Sequence, residues 1–548
     1  MRSERALGTL SRVLRRLSFV GIAAGIAVST MWHGCAGTNN DYMGNIVDGG
    51  TDDGPPPGSD LTCQKTPDPD VPDSSFVDNN CDGIDGDVNN AIFVSPSGDD
   101  TFAGTRENPV KTITQGIKLA QQQGKTGVYL DKGTYSGSVL MVAGIGVYGG
   151  YDSGNLWARS AANESLIQGG TTAITLSNIA KETHLELVSV KSADGTSAGQ
   201  SSYGVFVVNS SGPVIIGQAK INSGNGANGT SPTAPTDVIT PVAANGATGG
   251  NGCTGGGCNP AGPGGKGGQN TCSAVAGNVS GGNGGNGSVG NSGGGGAAGL
   301  GGAPGTGGGG GSSGDCFIGL YKGKSGSGGT DGGAGADGTL GTQPVAVSAS
   351  NFTAAGYTPA SGGDGRVGTN GSGAGGGGAG GGGAGGACNP DAGGGGGGGG
   401  AGGCAAAAGL GGGGGGGSFG VYIFKSTVTI NTATVASGQA GNGGNGANGA
   451  VGGSAGTGSA GGAGSEDSAG GGRGANGGKG GNSGAGAGGS GGPSYGVYSQ
   501  MSQVVTNSVQ ASGGAFGSAG NGGKATLKGT LSQAPAGFVG QAAPLKFE

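Results

Sequence analysis

Histidine, charged residues and aromatic side chains are all scarce in this chain of 548 residues. Only 10% of the residues are charged, 5% are aromatic, and two are histidines. With a net charge of −6 and no basic stripe to neutralise phosphates, the composition argues against a nucleic-acid partner. So few titratable side chains also leave little material for acid–base catalysis or for a zinc site.

Glycine takes the place of these residues. The chain holds 150 glycines, roughly four times ordinary usage. Disordered chains are usually rich in charge, and this one is nearly neutral. Because glycine tracts cannot bury side chains, we expect one cored domain of modest size that carries long inserts.

A short sequence, Ser-aromatic-Gly-Val-aromatic, organises the chain. It occurs at 202–206, 418–422 and 494–498, and each copy leads into alternating β-type residues that end at a Ser-Gly pair. Glycine-rich sequence of very different length follows each pair. A repeat that survives such insertions indicates a stacked unit with loops at one corner. A fourth unit at 343–361 is predicted from its strand-like residues and the same Ser-Gly ending.

A strand, a turn, a helix and a further strand follow one another in residues 91–150. The helix is predicted to end at Gly124, and one of its faces carries Val110, Ile113, Ile117 and Ala120. This succession resembles the start of pectate-lyase-like β-helices, in which the helix covers the open end of the coil. The resemblance implies an all-β fold, a right-handed single-stranded parallel β-helix with an N-terminal capping helix. It covers residues 91–223 and recurs in pieces near 345–361, 418–437 and 494–512. Residues 494–548 are predicted to hold the last turn of the coil and a C-terminal tail.

Three glycine-rich inserts are predicted at 224–342, 362–417 and 438–493, and they resemble the PGRS-type sequences of cell envelopes. Glycine loses much backbone entropy on ordering, which favours disorder. A partial three-residue period favours the alternative, extended polyglycine II-like helices that bond to one another. The glycine runs at 394–400 and 411–417 lack that period and count against order.

The first 35 residues are typical of a signal peptide, with a basic start and an apolar run too short to span a membrane comfortably. Residues 32–35 resemble a bacterial lipobox, which implies lipidation of Cys35 and a membrane anchor. Ordinary cleavage, which would leave a secreted protein, is the alternative. Residues 36–75 form an Asp/Pro-rich linker. We therefore expect export to the cell envelope, the outer membrane surface or the medium.

The number of cysteines agrees with an oxidising compartment, because an even set remains for disulfide pairing once Cys35 is set aside. Without Cys35, eight cysteines are left: Cys63, Cys81, Cys253, Cys258, Cys272, Cys316, Cys388 and Cys404. Order along the chain suggests the disulfides Cys63–Cys81, Cys253–Cys258, Cys272–Cys316 and Cys388–Cys404, although sequence alone leaves other pairings open.

Residues 76–90 resemble the Asp-rich calcium repeats of bacterial surface proteins. The oxygen ligands predicted on this tight loop are Asp78, Asn80, Asp82, Asp85 and Asp87. Asn89 stands where a calcium loop has its closing glutamate. An acidic turn braced by Cys81 is the alternative.

His184 and Glu186 form the best catalytic pair in the chain, because residues two apart on a strand share a face. A solvent-facing polar ladder is the commoner explanation of such a pair. We therefore expect a non-catalytic structural or adhesive lipoprotein of the envelope or matrix that contacts the membrane and surface glycans. The alternatives are a polysaccharide lyase or hydrolase of the β-helix type and a glycan- or ice-binding module.

Overall fold

The computed structural model describes residues 65–66, 69–239, 241–255, 261–315, 322–384 and 390–548. The predicted signal peptide with Cys35, most of the linker, and Cys63, Cys258, Cys316 and Cys388 lie outside the described residues. One α-helix, α1 (Ile113–Gln123), and 3₁₀ turns at Val88–Asn90, Ser153–Asn155 and Ala349–Asn351 accompany the strands of the described chain. The strands are β1 (Ala91–Val94), β2 (Gly127–Asp131), β3 (Gly133–Ser136), β4 (Val139–Leu140), β5 (Gly146–Asp152), β6 (Ala158–Arg159), β7 (Ser165–Gln168), β8 (Thr172–Ser177), β9 (Thr183–Glu186), β10 (Ser189–Lys191), β11 (Ser202–Val208), β12 (Pro213–Gly217), β13 (Lys220–Asn222), β14 (Thr271–Cys272), β15 (Gly277–Asn278), β16 (Phe352–Thr353), β17 (Gly356–Tyr357), β18 (Ser418–Phe424), β19 (Thr427–Asn431), β20 (Thr434–Ala436), β21 (Ser494–Gln500), β22 (Gln503–Asn507), β23 (Gln510–Ser512), β24 (Lys524–Leu527), β25 (Thr530–Gln533) and β26 (Ala542–Phe547).

Three parallel sheets make up the body of the fold. The first has the order β1-β2-β5-β9-β12-β19-β22, with β6 antiparallel at β5; the second is β3-β7-β10-β13-β20-β23, and the third is β4-β8-β11-β18-β21-β26. From β2 onward the chain visits the first, second and third sheets in turn. Each strand therefore pairs with the strand one turn earlier and one turn later. The all-β prediction is confirmed at this level, with parallel sheets.

The apolar core lies between the three sheets, and α1 packs against β1, β2 and β4 at its N-terminal end. The predicted helix residues Ile113, Ile117 and Ala120 are buried, at 4% exposure or less. Val110 is buried as well, but it lies before the helix and forms a β-bridge with Val94. Thr112 caps the start of the helix, and Gly124 ends it in the left-handed region at φ 68°. The helix thus covers the first turn of strands, whose side chains would otherwise face water.

The three copies of the repeat lie side by side in the third sheet. Tyr203 pairs with Phe419, and Phe419 pairs with Tyr495. On the outer face of the sheet the rings of Tyr203 and Phe419 stack with centroids 5.1 Å apart, and those of Phe419 and Tyr495 are tilted by 50° with centroids 6.1 Å apart. The repeat therefore occupies neighbouring turns, and its aromatic residues form a second apolar cluster outside the main core.

Residues 343–361 do not form the predicted fourth unit of the stack. They contain the antiparallel hairpin β16–β17, which pairs with none of the three sheets. Phe352 of this hairpin stacks on Tyr498 at 4.1 Å, and Tyr422 donates a hydrogen bond to the Thr353 carbonyl at 2.7 Å. The apolar residues that suggested a strand of the stack thus serve instead to cover the aromatic cluster.

The glycine-rich chain between the strands forms hydrogen-bonded segments. Residues 392–404, the central segment, are buried along their whole length. Their N–H groups donate in rotation to three neighbouring segments: Gly395 to Gly250, Gly396 to Gly285 and Gly397 to Gly472, at 2.8–3.0 Å, and the pattern repeats from Gly398. Their carbonyls accept in the same rotation from three further segments, through Gly462, Gly265 and Gly377. The central segment thus bonds to six neighbours with a three-residue repeat.

Close approach between these segments, rather than unusual dihedral angles, explains why they are glycine. A Cβ placed on Gly396 would lie 1.9 Å from the Gly377 carbonyl oxygen, and one on Gly398 would lie 2.0 Å from that of Lys266. Neither glycine has a φ in the left-handed region. A side chain on either residue would push the segments apart and break the hydrogen bonds between them.

Asparagine occupies many of the outward positions of these segments. Asn442 is exposed, and its Oδ1 accepts a hydrogen bond from the Ser518 N–H at 2.8 Å. Its own N–H donates to the Asn228 Oδ1 at 2.8 Å, and Asn445 accepts from Asn521 in the same way. The short amides therefore satisfy main-chain donors at the surface of the glycine-rich bundle, where no further segment supplies a carbonyl.

Cys272 and Cys404 form a disulfide, which contradicts the predicted pairs Cys272–Cys316 and Cys388–Cys404. The bond joins residues 132 apart in sequence and ties β14 to the central segment. Chain order was a poor guide because folding of the inserts brings distant residues together. Cys81 and Cys253 are disulfide-bonded as well.

Candidate functional site

The polar side chains of β9 lie on the outer face of the first sheet, beside the segment 69–73. A cleft of about 320 Å³ opens there between Asp70, Tyr148 and His184. A second cleft of about 480 Å³, on the other side of His184, is lined by Glu186, Gln218 and Asn431. His184 therefore stands at the junction of the two clefts.

His184 is held between two carboxylates. Its Nδ1 lies 2.6 Å from Glu186 Oε1, and its Nε2 lies 3.0 Å from Glu182 Oε1. The ring stacks on Tyr148 with the centroids 5.9 Å apart. The sequence predicted that His184 and Glu186 share a face, and the hydrogen bond confirms it. Glu182 was missed, although it stands two residues before His184 and the same alternation points to it.

Electrostatics favour the charged imidazolium at this position. Burial by itself would lower the pKa of His184, but the hydrogen bonds to Glu186 and Glu182 outweigh it and raise the pKa above its ordinary value. A protonated ring that donates both of its N–H groups has no lone pair with which to accept a proton. This geometry therefore suits a fixed positive charge between two carboxylates better than a general base.

The other residues near His184 in sequence do not join it. Lys191 ends β10 in the second sheet, and the Asp194 carboxylate accepts a hydrogen bond from the Asn225 N–H at 2.7 Å. The His184 cluster thus consists of Glu182, Glu186 and Tyr148.

The Asp-rich loop predicted to bind calcium folds back on its own main chain. Asp78 accepts from the N–H groups of Asp82 at 3.2 Å and Gly83 at 2.8 Å. Asn80 Oδ1 accepts from the Asp82 N–H at 2.8 Å. The first three predicted ligands, at alternate positions, therefore face one tight turn, which Gly83 closes with φ 96°.

Asp85 and Asp87, the other two predicted ligands, make contacts with the rest of the protein. The Asp85 side chain is 2% exposed and pairs with Arg159, itself fully buried, at 2.9 Å. Burial raises the pKa of Asp85 to about 6, against the opposing effect of the Arg159 charge and hydrogen bond. Asp87 caps the 3₁₀ turn by accepting from the Asn89 N–H at 2.8 Å. Asp85 thus fastens the loop to Arg159 of β6.

Comparison with known protein families gives a match over part of the chain. Residues 96–249 are similar to a family described as "Protein of unknown function (DUF1565)". That family is associated with β-helix proteins, and its association is compatible with the parallel sheets described above. The match covers less than half of the chain. No curated protein and no solved structure matches the chain.

Within the described part of the chain, no helix has both the length and the apolar character needed to cross a membrane.

Proposed function

We propose that this protein is an exported, non-catalytic component of the bacterial cell surface, anchored through lipidated Cys35. In this proposal the three sheets form a right-handed parallel β-helix, and the inserts form a bundle of the polyglycine II type. The bundle acts as a stiff structural or adhesive element of the envelope or matrix. The β-helix assignment is supported by the rotation of the chain through three parallel sheets and by the helix at their N-terminal end.

The hydrogen bonding of the central segment is the observation that carries the proposal. A segment bonded to six neighbours cannot bend without breaking bonds along its whole length. Its interior consists of glycine apart from Ala392, Ala401 and Cys404, and therefore leaves few side chains from which to build a selective pocket. What such a bundle offers to its surroundings is an extended surface of small neutral groups, of which exposed Asn442 and Asn445 are examples.

Localisation tests the proposal directly. The full chain is expressed in a Gram-negative host that processes lipoproteins, together with a Cys35→Ser variant, and both are labelled with radioactive palmitate. We expect the label on the unmodified chain alone, which should fractionate with the outer membrane and be cleaved when intact cells are treated with protease. The variant should be unlabelled and recovered from the periplasm or the medium. Recovery of the unmodified chain from the cytosol would contradict the proposal.

A glycan array separates an adhesive role from a purely structural one. Saturable binding of the purified chain to extended glycans would support adhesion. The same array, read for cleavage products, tests the alternative of a polysaccharide lyase or hydrolase. The geometry around His184 disfavours catalysis, because both ring nitrogens are already hydrogen-bonded to carboxylates. Cleavage that is lost in the double variant His184→Ala, Glu186→Ala would favour the enzyme instead.

The rows of asparagine favour a second candidate, binding to a periodic ligand such as a glycan or ice. Asn228 and Asn442 lie in neighbouring segments, and Asn442 and Asn445 are three residues apart within one segment. Because such segments rise about 3.1 Å per residue, the amides recur about every 9 Å along the bundle. Replacing Asn442, Asn445 and Asn521 with serine would disturb this array. If the variant bound glycans as tightly as the unmodified chain and slowed ice growth to the same extent, the result would argue against this candidate.

A further inference from the structure

Pairs of asparagine followed by glycine are concentrated in the glycine-rich bundle. The chain contains twelve such pairs, and all of them lie between residues 225 and 522. Asparagine is thermolabile, and this pair is its most labile context, because glycine has no side chain to hinder attack of its main-chain nitrogen on the asparagine side chain. The chemical survival of the bundle therefore depends on what holds these pairs in place.

Two hydrogen bonds hold each of eleven of the twelve pairs. At Asn442 the side-chain Oδ1 accepts from the Ser518 N–H, and the N–H of the following Gly443 donates to the Ser518 carbonyl, both at 2.8 Å. The other pairs repeat this arrangement, with the side-chain oxygen and the glycine N–H bonded to main-chain groups of one neighbouring segment. The asparagines held in this way are Asn225, Asn228, Asn245, Asn251, Asn283, Asn286, Asn370, Asn442, Asn445, Asn448 and Asn476. Both bonds must break before the glycine nitrogen can attack the side chain, which slows the reaction.

The pair Asn521-Gly522 is the exception. The main chain of Asn521 is held as that of Ser518 is: its N–H donates to Asn445 Oδ1 and its carbonyl accepts from the Gly446 N–H, both at 2.8 Å. Among the described residues, however, the exposed Asn521 side chain has no hydrogen-bond partner, and the Gly522 N–H has no acceptor. Residues 438–449 hold the segment 514–524 through such paired bonds, and no described segment is held in the same way by 514–524.

The burial of Gly522 adds to this difference. Gly522 is buried, and a buried N–H without an acceptor is costly. Attack of this nitrogen on the Asn521 side chain removes the N–H, because the product is an imide. The exposed amide of Asn521 meanwhile allows ammonia to leave and water to enter. The fold therefore leaves this pair able to react, whereas it restrains the others.

We propose that Asn521 is a site of spontaneous deamidation in the folded protein and that the paired hydrogen bonds protect the other eleven asparagines. The Gly522 nitrogen loses its proton and forms a bond to Asn521 Cγ, the Cγ–Nδ2 bond breaks, and the amide nitrogen leaves as ammonia. One water molecule then opens the resulting succinimide at either carbonyl carbon. Opening at Cγ gives aspartate, and opening at the main-chain carbonyl carbon gives isoaspartate.

Both products add a negative charge at the surface of the bundle, and isoaspartate also adds a methylene group to the main chain. The added length falls just before Gly523, whose N–H donates to the Gly486 carbonyl and whose carbonyl accepts from the Ala534 N–H, both at 2.9 Å. These two bonds should weaken, so the modification should loosen residues 522–534. The inference does not depend on the proposed surface function, because it uses only the hydrogen bonding of the bundle.

Ageing of the purified chain tests the inference. The folded protein and a sample unfolded in urea are incubated in mildly alkaline buffer made with water labelled with heavy oxygen, and peptide mass spectrometry follows all twelve pairs. In the folded protein we expect Asn521 to convert at least about tenfold faster than Asn442 or Asn445, since two hydrogen bonds must first break at those residues. In urea all the pairs have the same local chemistry and should convert at similar rates.

Asn521→Gln is the matched control, because glutamine cyclises far more slowly than asparagine. Amide hydrogen exchange of residues 522–534 should become faster with age in the unmodified chain and stay constant in this variant. Conversion of Asn442 or Asn445 as fast as that of Asn521 in the folded protein would overturn the inference. An Asn521 that is still intact in the folded protein after the unfolded sample has converted would overturn it equally.

Discussion

Replacing Gly398 with alanine introduces a single methyl group at the centre of the bundle. Its Cβ would come 2.0 Å from the Lys266 carbonyl oxygen and 2.6 Å from the carbonyl carbon. An ordinary contact needs about 3.4 Å or more, so the Lys266 segment would have to move by more than about 1 Å. The Lys266 carbonyl accepts from the Ala247 N–H at 2.8 Å, and Gly398 donates to Ala247 at 2.9 Å. The movement would stretch both bonds.

The cost combines overpacking with weakened buried hydrogen bonds. Inserting a methylene-sized group into a packed interior costs about 1–3 kcal/mol, and each buried donor left without a partner costs about 1–3 kcal/mol. We therefore expect Gly398→Ala to lower the free energy of unfolding by about 3–5 kcal/mol. In a chain of this size the thermal midpoint should fall by several degrees.

Gly309→Ala is the matched control, because Gly309 is an exposed residue of the same bundle. Its Cβ would meet only the Ser327 Oγ, at 3.6 Å. Alanine there restricts the unfolded chain and should change stability by less than about 1 kcal/mol, in the stabilising direction. Thermal unfolding and amide hydrogen exchange of residues 392–404 would measure both variants. Equal stability and equal exchange in the two would refute the account of close packing given above.

Three further predictions concern single contacts. Replacing Cys272 and Cys404 together with serine should destabilise the protein by about 2–4 kcal/mol under oxidising conditions and should make little difference in reductant, as thermal unfolding in both buffers would show. Because the folded pKa of His184 is raised, its contribution to stability is complete below its unfolded pKa of about 6.5 and is lost as the pH rises through the folded pKa. The unmodified chain should therefore lose stability relative to His184→Gln as the pH rises above about 6.5, and parallel pH profiles of the two would contradict this. Replacing Arg159 with methionine should cost about 3–5 kcal/mol by leaving Asp85 buried alone, and adding Asp85→Leu should recover most of that loss in urea unfolding.

The stack of strands was largely predictable because its sequence obeys local rules. The face of α1, its glycine stop and the pairing of Tyr203 with Phe419 all follow from periodicity or from an identical repeat. The hairpin at Phe352 was misread since an apolar strand that covers an aromatic surface looks like one that extends a sheet. Only the partner residues distinguish the two, and a single sequence does not reveal them.

Order in the glycine runs was harder to predict, for a physical reason. The three-residue period of the inserts arises where every third residue faces solvent, as at Asn442, Asn445 and Asn448. The central segment has six neighbours and no solvent-facing position, so it has no place for a periodic polar residue. The lack of period at 394–400, which counted against order, is therefore what a buried segment requires. Burial of this kind depends on the whole bundle and leaves no local pattern.

The candidate sites divide in the same way. The pairing of His184 with Glu186 followed from alternation along one strand, and the tight turn from Asp78 to Gly83 followed from its spacing. The partner of Asp85 could not be foreseen, because Arg159 lies 74 residues away.

The rotation of hydrogen bonds in the bundle restricts how the inserts can change in length. Adding three residues to one segment advances the chain by one full turn, so each glycine still faces a neighbour and each asparagine still faces water. Adding one or two residues would turn the rest of that segment by a third or two thirds of a revolution and bring side chains against carbonyls. Insertions and deletions in these segments should therefore be tolerated in multiples of three amino acids, because the packing of the bundle repeats every three residues.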